Sequence, residues 1–240
     1  MPLAHNYLLL DMDSGNPKYA LVVAGGSGTR MGTDVPKQFI TIGAKPILMY
    51  TLQRFADFSE DLQIVLVLPL SQIPEWEKLV KEYSFHIKVT IVAGGSTRFQ
   101  SVKNGLDSIP ASEGLVAIHD GVRPFVTKSI IERSYNSAAQ FGSGISSVAL
   151  KDSIRYVNKD INRSEDRSKF RLIQTPQAFR LSLIKKAFLT KESPDFTDDA
   201  SVLEHAGSPI HLVEGSYENI KVTTPGDLLI SEAILKNFTY

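Results

Sequence analysis

The sequence has no cysteine, so neither a disulfide framework nor a thiolate metal site is available to this protein. It also has no charge excess, because 26 Lys and Arg residues balance 26 Asp and Glu residues. Such a balance gives no global attraction to nucleic acid or to a membrane surface. No apolar run approaches the roughly 20 residues that a membrane-spanning helix needs. These absences predict a cytoplasmic protein in which any anion site depends on a local group of cations.

The length is sufficient for one domain with a full core, since the chain has 240 residues and 42% of them are hydrophobic. We expect this domain to cover residues 18–240. The apolar patch at residues 7–10 is too short for a signal-peptide core, and no basic segment precedes it. Residues 1–17 are therefore expected to form an irregular N-terminal extension.

Short β-branched runs alternate with helical patterns along most of the chain. This alternation is typical of an α/β fold with a mostly parallel sheet and helices on its faces. The predicted strands are 19–24, 63–68, 88–92, 115–119, 145–150 and 220–223. The predicted helices are 45–57, 71–83, 98–109, 127–141 and 225–238. In the second of these helices, Ser71 is expected to be the cap and Pro74 to lie in the first turn.

The segment 148–177 interrupts the alternation with two strand-like runs around a polar turn. This pattern predicts a long antiparallel hairpin with few apolar residues to hold it on the parent core. Because a lone hairpin is marginally stable in water, we expect an arm at about 150–175 that lies against a second subunit. An ordinary surface excursion is the alternative.

A glycine-rich loop at 24–32 directly follows the first predicted strand. Backbone N–H groups in such a loop surround a concavity that suits phosphate. The loop lacks the GKS or GKT ending of a Walker motif, and Met31 stands where the dinucleotide fingerprint requires glycine. Arg30 within the loop and Lys37 just after a rigid proline favour a polyphosphate site over a structural turn.

Seven segments, taken together and in this order, resemble the sugar-nucleotide pyrophosphorylase superfamily, and within it the cytidylyltransferases of small polyol phosphates. The segments are AGGSGTRMGTDVPKQF (24–39), AGGSTRFQSVKNGL (93–106), HDGVRPF (119–125), DSIR (152–155), DRSKFRLIQTPQAF (166–179), FTDDASVLE (196–204) and ENIKVTTPGDL (218–228). The closest likeness is to the branch that uses 2-C-methyl-D-erythritol 4-phosphate.

The resemblance implies a three-layer, Rossmann-like nucleotidyltransferase fold, a homodimer and a cytidylyl transfer from CTP that releases pyrophosphate. The phosphate monoester of the acceptor is already an anionic nucleophile, so no Ser, Cys or His needs activation. Catalysis is then expected to come from positioning and from cations that stabilise the charge on the transferred phosphorus and on the leaving group.

The resemblance also implies which residues form the site. The expected catalytic cations are Arg30, Lys37, Arg167 and Lys221. The expected CTP-binding residues are Ala24, Gly25, Gly26, Ser27, Gly28, Gly95, Ser96, Arg98, Ser101, Asp120 and Gly121. Within this set, the resemblance implies that Gly95, Ser96 and Ser101 meet the cytosine base. The expected residues for the acceptor phosphate are Arg123, Ser153, Arg167, Thr175, Thr197 and Lys221. Ser153 stands where the family carries threonine, and Ser96 stands where some members carry an acidic residue.

Asp120 follows a predicted strand at the edge where open sheets hold ligands. The resemblance implies that it binds Mg²⁺ together with the CTP phosphates, or meets the ribose, whereas a turn-capping aspartate is the structural alternative. His119 is not expected to be a general base, because the nucleophile needs none. Asp198 and Asp199 are expected to cap a helix rather than to bind a second metal.

Three other functions are compatible with parts of the sequence. Ribitol-5-phosphate cytidylyltransferases share the glycine loop and several later segments. An NAD-dependent oxidoreductase would need the dinucleotide fingerprint that is missing here. An inactive CTP-binding module would have no reason to keep Arg30, Lys37, Arg167 and Lys221 together.

Overall fold

The computed structural model describes residues 16–26 and 35–237. Of the predicted N-terminal extension, only its last two residues fall within these ranges, and the rest lies outside the described residues. The same holds for Ser27, Gly28 and Arg30 of the glycine loop.

Eleven strands and seven helices occur in the described ranges. The strands are β1 (Lys18–Val23), β2 (Thr41–Ile42), β3 (Lys45–Pro46), β4 (Gln63–Leu68), β5 (Thr90–Ala93), β6 (Leu115–Asp120), β7 (Ser143–Ala149), β8 (Ile154–Asn158), β9 (Ile161–Glu165), β10 (Arg171–Arg180) and β11 (Leu212–Glu214). The helices are α1 (Ile47–Ala56), α2 (Ile73–Glu82), α3 (Arg98–Ser108), α4 (Lys128–Phe141), α5 (Leu181–Ala187), α6 (Asp199–His205) and α7 (Pro225–Asn237).

Seven of the strands form one sheet in the order β11-β7-β10-β6-β1-β4-β5. In this sheet β10 runs antiparallel to both of its neighbours, and the remaining pairs are parallel. This confirms the predicted α/β fold with a mostly parallel sheet. The carboxyl ends of β1, β4, β5 and β6 therefore share one edge, where side chains from distant parts of the sequence can meet.

The central strand β1 is buried on both faces, because it lies between two layers of helices. Ala20 and Val22 pack with side chains of α1, α2 and α4 on one face. Leu21 and Val23 pack with side chains of α3, α5 and α6 on the other. This arrangement explains the unbroken apolar run before the glycine loop, since a strand of a parallel sheet is covered on both sides.

Five of the six predicted strands are confirmed, and the prediction for 220–223 is wrong. This segment is extended but pairs with no strand of the described sheet. Its backbone is joined to the loop after β6 by a hydrogen bond of 2.9 Å from Val222 N to Val122 O. Ile220 and Val222 pack into a small apolar cluster with Phe125. The apolar alternation therefore reflects burial on one side rather than strand pairing.

The predicted helices are confirmed within two residues at each end. The prediction that Ser71 caps α2 is wrong. Ser71 lies in a short 3₁₀ turn, Leu70–Gln72, and the capping position is Gln72. Pro74 does lie in the first turn, as predicted. No helix in the described ranges has the length and apolar character that would let it cross a membrane.

The predicted hairpin is present over part of its expected range, as β8 and β9, which pair antiparallel and form a two-stranded sheet of their own. The expected range of 148–177 was too long, because Arg171–Arg180 is β10 of the main sheet. Its apolar side chains Tyr156, Val157 and Ile161 are exposed. The hairpin thus protrudes from the main sheet with apolar surface that this chain leaves uncovered.

Candidate functional site

A cavity of about 210 Å³ opens at the carboxyl edge of the sheet. Its lining residues come from the glycine loop, the loop before α3, the end of β6 and the segment before α7. They are Val23, Ala24, Gly25, Gly26, Lys37, Gln38, Gly95, Ser96, Thr97, Arg98, Ser101, Asp120, Val122 and Lys221. A larger, open depression of about 550 Å³ beside α1 is lined by Lys45 and His86 but includes none of the predicted site residues.

Asp120 is the last residue of β6 and forms the centre of a cluster of cations. Its Oδ2 atom lies 2.9 Å from Lys221 Nζ and 3.3 Å from Arg123 Nε, and its Oδ1 atom lies 4.0 Å from Arg98 Nε. Burial alone would raise the pKa of Asp120, but the charges of Lys221, Arg98 and Arg123 hold this pKa well below its usual range. The carboxylate is therefore ionised at neutral pH.

Two of these cations are positioned by the segment before α7. Arg123 Nη1 donates to Asn219 O at 2.8 Å, and the buried Asn219 side chain donates from Nδ2 to Thr175 O at 2.8 Å. The backbone bond from Val222 to Val122 fixes the residue that follows Lys221. Lys221 thus reaches Asp120 from an irregular segment that is tied to the loop after β6, rather than from the end of a strand.

Thr175 lies in β10 next to β6, immediately before a cis peptide bond to Pro176. Its hydroxyl accepts a hydrogen bond from Asp120 N at 3.0 Å. The side chain is buried, and it supports the backbone that carries the central carboxylate.

Lys37 lies over the start of the glycine loop. A Cβ atom placed on Gly26 would come within 2.6 Å of Lys37 Cε and 2.7 Å of Lys37 Nζ. A side chain at position 26 would displace the end of Lys37 from this place. The loop and the lysine therefore form one continuous surface of the cavity.

Gln38 is a residue that the sequence analysis missed. It is fully buried, and its Nε2 atom donates to Ala24 O at 2.9 Å and also to Gln72 Oε1. Its Oε1 atom has no hydrogen-bond partner among the described residues, although the side chain lines the cavity. Gln38 anchors the residue with which the glycine loop begins.

The second glycine loop precedes α3, and Thr97 caps that helix by accepting from Gln100 N at 3.1 Å. Ser101 Oγ accepts from Gly95 N at 3.1 Å and donates to Thr97 O at 2.8 Å. These bonds hold the loop in the turn that lines the cavity.

Arg98, the first residue of α3, forms a bidentate ion pair with Asp199 at the start of α6. The Nη1–Oδ1 and Nη2–Oδ2 distances are 2.8 and 2.6 Å, and the Asp199 side chain is 1% exposed. Burial would lower the pKa of Arg98, but the carboxylates of Asp199 and Asp120 raise it above its ordinary value. One guanidinium thus links α3, α6 and the end of β6.

The predicted helix-capping role of this acidic pair is confirmed for Asp198, which accepts from Ser201 N at 2.9 Å in a capping box. Asp199 instead pairs with Arg98, a contact that no motif in the sequence indicated. Its burial follows from the fold, because α6 packs beside α3 and α5.

Several predicted residues lie away from the cavity of this chain. Ser153, Thr197 and Arg167 are exposed, and Arg167 Nη1 donates to the carbonyl of Lys151 at the base of the hairpin. Gly121 lies behind the cavity wall, where its N–H donates to Val23 O at 2.8 Å. Within one chain, the structure therefore brings the two glycine loops together with Asp120, Arg123, Lys221 and Thr175.

His119 is completely buried beneath the site. Burial lowers the pKa of its imidazole to about 4, so the ring is neutral at physiological pH. Its Nε2 atom contacts Arg123 O at 3.1 Å, and the Phe55 ring lies against it with the centroids 5.0 Å apart. This environment agrees with a packing role rather than with proton transfer.

The donor set at Asp120 fits a Mg²⁺ ion of the kind that uses one protein carboxylate and several phosphate oxygens. The Oδ1 atom is 4.0 Å from its nearest cation, whereas Oδ2 is held by two. In the described part of the chain, no three His, Asp or Glu side chains cluster as a metal site made of protein ligands alone. A metal here would depend on the nucleotide for most of its ligands.

Comparison with known proteins gives a consistent picture. The family model described as IspD, 2-C-methyl-D-erythritol 4-phosphate cytidylyltransferase, matches residues 19–237. A protein of that name from Bacteroides thetaiotaomicron is 47% identical over 215 residues, which are 90% of this chain and 98% of the relative. Its counterpart in Clostridium novyi is 44% identical over 91% of this chain and 96% of the relative.

Solved structures agree with these matches. The 4-diphosphocytidyl-2C-methyl-D-erythritol synthase of Anaerococcus prevotii superposes with a TM-score of 0.79 at 30% identity, covering 92% of this chain and 96% of that one. The 2-C-methyl-D-erythritol 4-phosphate cytidylyltransferase of Thermus thermophilus gives a TM-score of 0.74 at 28% identity, covering 91% and 98%.

Proposed function

The chain belongs to the 2-C-methyl-D-erythritol 4-phosphate cytidylyltransferase family, and from this premise we propose how the cations around Asp120 serve the reaction of that family. The enzyme transfers the cytidylyl group of CTP to the phosphate of 2-C-methyl-D-erythritol 4-phosphate and releases pyrophosphate. The ribitol 5-phosphate alternative is not favoured, because the matching family model is that of the methylerythritol enzymes. An NAD-dependent oxidoreductase is excluded on the same ground.

The observation that carries the proposal is the convergence of three cations on one buried carboxylate, at a cavity that Lys37 also lines. In the transfer, an oxygen of the acceptor phosphate attacks the α-phosphorus of CTP. The bond from that phosphorus to the bridging oxygen breaks, and the electron pair leaves with pyrophosphate. No proton has to be removed from the nucleophile, so fixed positive charge is the main requirement.

We assign Lys37, together with Arg30, to the triphosphate. Lys37 is suited to this role because its ammonium group lies over Gly26, where backbone N–H groups can also meet phosphate oxygens. We assign Lys221 and Arg123 to the acceptor phosphate, which they would hold in line with the α-phosphorus. Asp120 keeps both cations in place through ion pairs of 2.9 and 3.3 Å.

Mg²⁺ dependence is part of the proposal. Asp120 would hold the ion together with phosphate oxygens of CTP. When bound, Mg²⁺ neutralises charge on the phosphates and on the leaving pyrophosphate. Asp120 suits this role because it is ionised and sits at the carboxyl end of β6.

We further propose a homodimer in which the β8–β9 hairpin of one subunit reaches the site of the other. The exposed apolar side chains of the hairpin supply a surface that a partner would cover. Arg167, Ser153 and Thr197 would then complete the acceptor pocket, with Arg167 contributed by the partner subunit. This arrangement accounts for the exposure of Arg167 in the single chain.

We place the enzyme in the cytoplasm. The absence of cysteine agrees with a reducing compartment, and CTP is available there as a substrate. Detection of the native protein in the cytosolic fraction, with a membrane marker as the control, tests this assignment.

The central test is pyrophosphate release from CTP and Mg²⁺ with each of two acceptors at equal concentration. We expect rapid release with 2-C-methyl-D-erythritol 4-phosphate and little with ribitol 5-phosphate. Omission of Mg²⁺, or addition of EDTA, is expected to stop the reaction. Release that depends on ribitol 5-phosphate alone would contradict the acceptor assignment.

A further inference from the structure

The loop before α3 contains a hydrogen-bonded chain of three side chains, Ser96, Gln100 and Glu192. Gln100 Oε1 accepts twice from Ser96, from the backbone N at 3.1 Å and from Oγ at 2.9 Å. At the other end of the same amide, Gln100 Nε2 donates to Glu192 Oε2 at 3.2 Å. Ser96 lines the cavity, so this series of hydrogen bonds runs from Glu192 at the surface to the place where we expect the cytosine ring.

These three contacts fix which way the Gln100 amide points. An ionised carboxylate only accepts hydrogen bonds, so the NH₂ group must face Glu192 and the carbonyl oxygen must face Ser96. The opposite orientation would set the amide oxygen against the carboxylate and the NH₂ group against the Ser96 N–H. The Gly95 backbone also lies close to Gln100, because a Cβ atom on Gly95 would lie 2.3 Å from Gln100 Cβ.

The fixed amide in turn fixes the proton of Ser96. A serine hydroxyl has one proton to donate and two lone pairs that accept. Since Gln100 Oε1 cannot donate, the hydroxyl proton of Ser96 points at Gln100, and only lone pairs are directed toward the cavity. Ser96 Oγ is thereby restricted to the role of an acceptor.

We propose that Gln100 is a specificity-determining residue, which selects CTP over UTP by keeping Ser96 Oγ an acceptor. Cytosine carries an amino group at position 4, which donates a hydrogen bond, whereas uracil carries an oxygen there, which can only accept. An acceptor at Ser96 can therefore bind the amino group of cytosine, whereas it would face the acceptor oxygen of uracil and disfavour its binding. The inference rests on the proposed function in one respect, namely that the pyrimidine base binds at this loop. Glu192 acts through Gln100 as a positioning residue.

The test compares the affinities of CTP and UTP by isothermal titration, with no acceptor present, so that it does not depend on turnover. Gln100→Leu frees the Ser96 hydroxyl to rotate and to donate to uracil. We expect the ratio of the two dissociation constants to move toward unity by about tenfold, the size of one hydrogen bond. The same shift is expected in the ratio of kcat/KM values for CTP and UTP.

A charge swap provides a rescue that a purely structural role does not predict. Glu192→Gln alone removes the group that orients the amide, and Gln100→Glu alone sets two carboxylates against each other, so each is expected to weaken the preference for CTP. In the double variant, the carboxylate at position 100 accepts from Ser96 while the amide at position 192 donates to it. The preference should then return toward the wild-type value.

Gln53→Leu is the matched control, because Gln53 also donates to an acidic side chain, Asp57, at 2.6 Å, but lies on α1 outside the cavity. It should leave the CTP-to-UTP ratio unchanged. Equal affinity of the wild-type protein for CTP and UTP would overturn the inference, and so would an unchanged ratio in Gln100→Leu with its fold intact by circular dichroism. Failure of the proposed function would show separately, as nucleotide binding without pyrophosphate release.

Discussion

At the scale of single residues, the site is a balance between one buried carboxylate and the cations around it. Arg98 is paired with Asp199, but Lys221 and Arg123 together still carry more positive charge than Asp120 neutralises. The surplus is what an incoming phosphate would meet, and the carboxylate keeps the cations from moving apart before it arrives. Preorganised charge of this kind lowers a barrier because it needs no rearrangement during the reaction.

Lys221→Ala should therefore reduce kcat by about 10²–10³-fold, which corresponds to a loss of about 3–4 kcal/mol of transition-state stabilisation. The thermal midpoint should change little, because the Lys221 side chain is 41% exposed and Arg123 still pairs with Asp120. Steady-state kinetics and a thermal melt measure the two effects. Lys103→Ala removes an exposed lysine that pairs with Asp107 and should leave kcat unchanged.

The Arg98–Asp199 pair makes a prediction about stability. Asp199→Ala leaves a largely desolvated guanidinium without its bidentate partner, at an expected cost of about 2 kcal/mol in the free energy of unfolding. This value lies below the ~3–5 kcal/mol typical of fully buried pairs, since the Arg98 side chain is 36% exposed and solvent screens its charge.

Urea unfolding of Asp199→Ala measures that cost, and Arg98→Met combined with Asp199→Leu provides the comparison. Removal of both charges should destabilise less than removal of the aspartate alone, because no unpaired charge remains. A double variant that is less stable than the single one would show that the contact acts through packing instead.

At the scale of elements, α7 depends on a cap at its start. Asp227 Oδ2 accepts from the backbone N of Thr223 and of Thr224, both at 2.8 Å. Burial slightly opposes ionisation, but these hydrogen bonds lower the pKa of Asp227 below its ordinary value. A lowered pKa in the folded state means that the cap stabilises above the unfolded pKa and is lost as the pH falls through the folded one.

Asp227→Ala should cost about 1 kcal/mol at pH 7, the usual size of a helix cap. The difference in thermal midpoint between wild type and variant should begin to shrink as the pH falls below about 4, where the carboxyl of the unfolded chain becomes protonated, and it should disappear below the lower pKa of the folded state. Melts at a series of pH values measure this. Glu77→Ala on the exposed face of α2 serves as the control, and a difference for Asp227→Ala that stays constant with pH would contradict the mechanism.

The elements also show what a sequence can predict and what it leaves open. Strands β1, β4 and β6 were predictable because a strand buried on both faces reads as an apolar run. Strand β10 was predicted only as part of the hairpin and not as a strand of the main sheet, because it contains Gln174, Pro176 and Gln177, which argue against a central strand. The fold tolerates them because Gln177 donates to Asp198 at 2.9 Å and accepts from Ala200 N at 2.9 Å.

The residues of the candidate site likewise fall into those that the sequence indicated and those that it did not. Lys37 and Asp120 stood out because a cation or carboxylate next to a glycine turn or a strand end has few structural reasons to be there. Lys221 was identified only through the family resemblance, since its local pattern fits an ordinary exposed lysine equally well. Gln38 and Asn219 left no signal, since an amide inside a motif reveals nothing until its hydrogen-bond partners are known. Both are completely buried in the structure, and both hold the backbone around the cavity.

At the scale of the whole molecule, a chain with no net charge concentrates its cations where four separate segments meet. The exposed hairpin lies apart from this meeting point, as do the predicted site residues Ser153, Arg167 and Thr197. Because Arg167 follows the hairpin and lies outside the cavity of its own chain, we propose that it acts on another molecule. A second copy of the chain is the partner that the proposed site requires.

Mixing two inactive variants tests this arrangement. Arg167→Ala removes the cation of the hairpin, and Lys221→Ala removes the cation of the cavity. If Arg167 serves the partner's site, a heterodimer contains one site that lacks both cations and one that lacks neither. About half of all dimers in an equal, freely exchanging mixture are heterodimers, and each has one intact site of two. Activity should therefore recover to about a quarter of the wild-type value.

Recovery requires subunit exchange, which differently tagged subunits and co-purification establish independently. Arg163→Ala paired with Lys221→Ala is the matched control, because Arg163 lies on β9 of the same hairpin but outside the proposed site. That mixture should show the activity of its Arg163→Ala subunits, about half of the wild-type value, with no gain on exchange. Heterodimers of Arg167→Ala and Lys221→Ala that form and stay inactive would mean that each hairpin serves its own subunit, since every site would then lack one of the two cations.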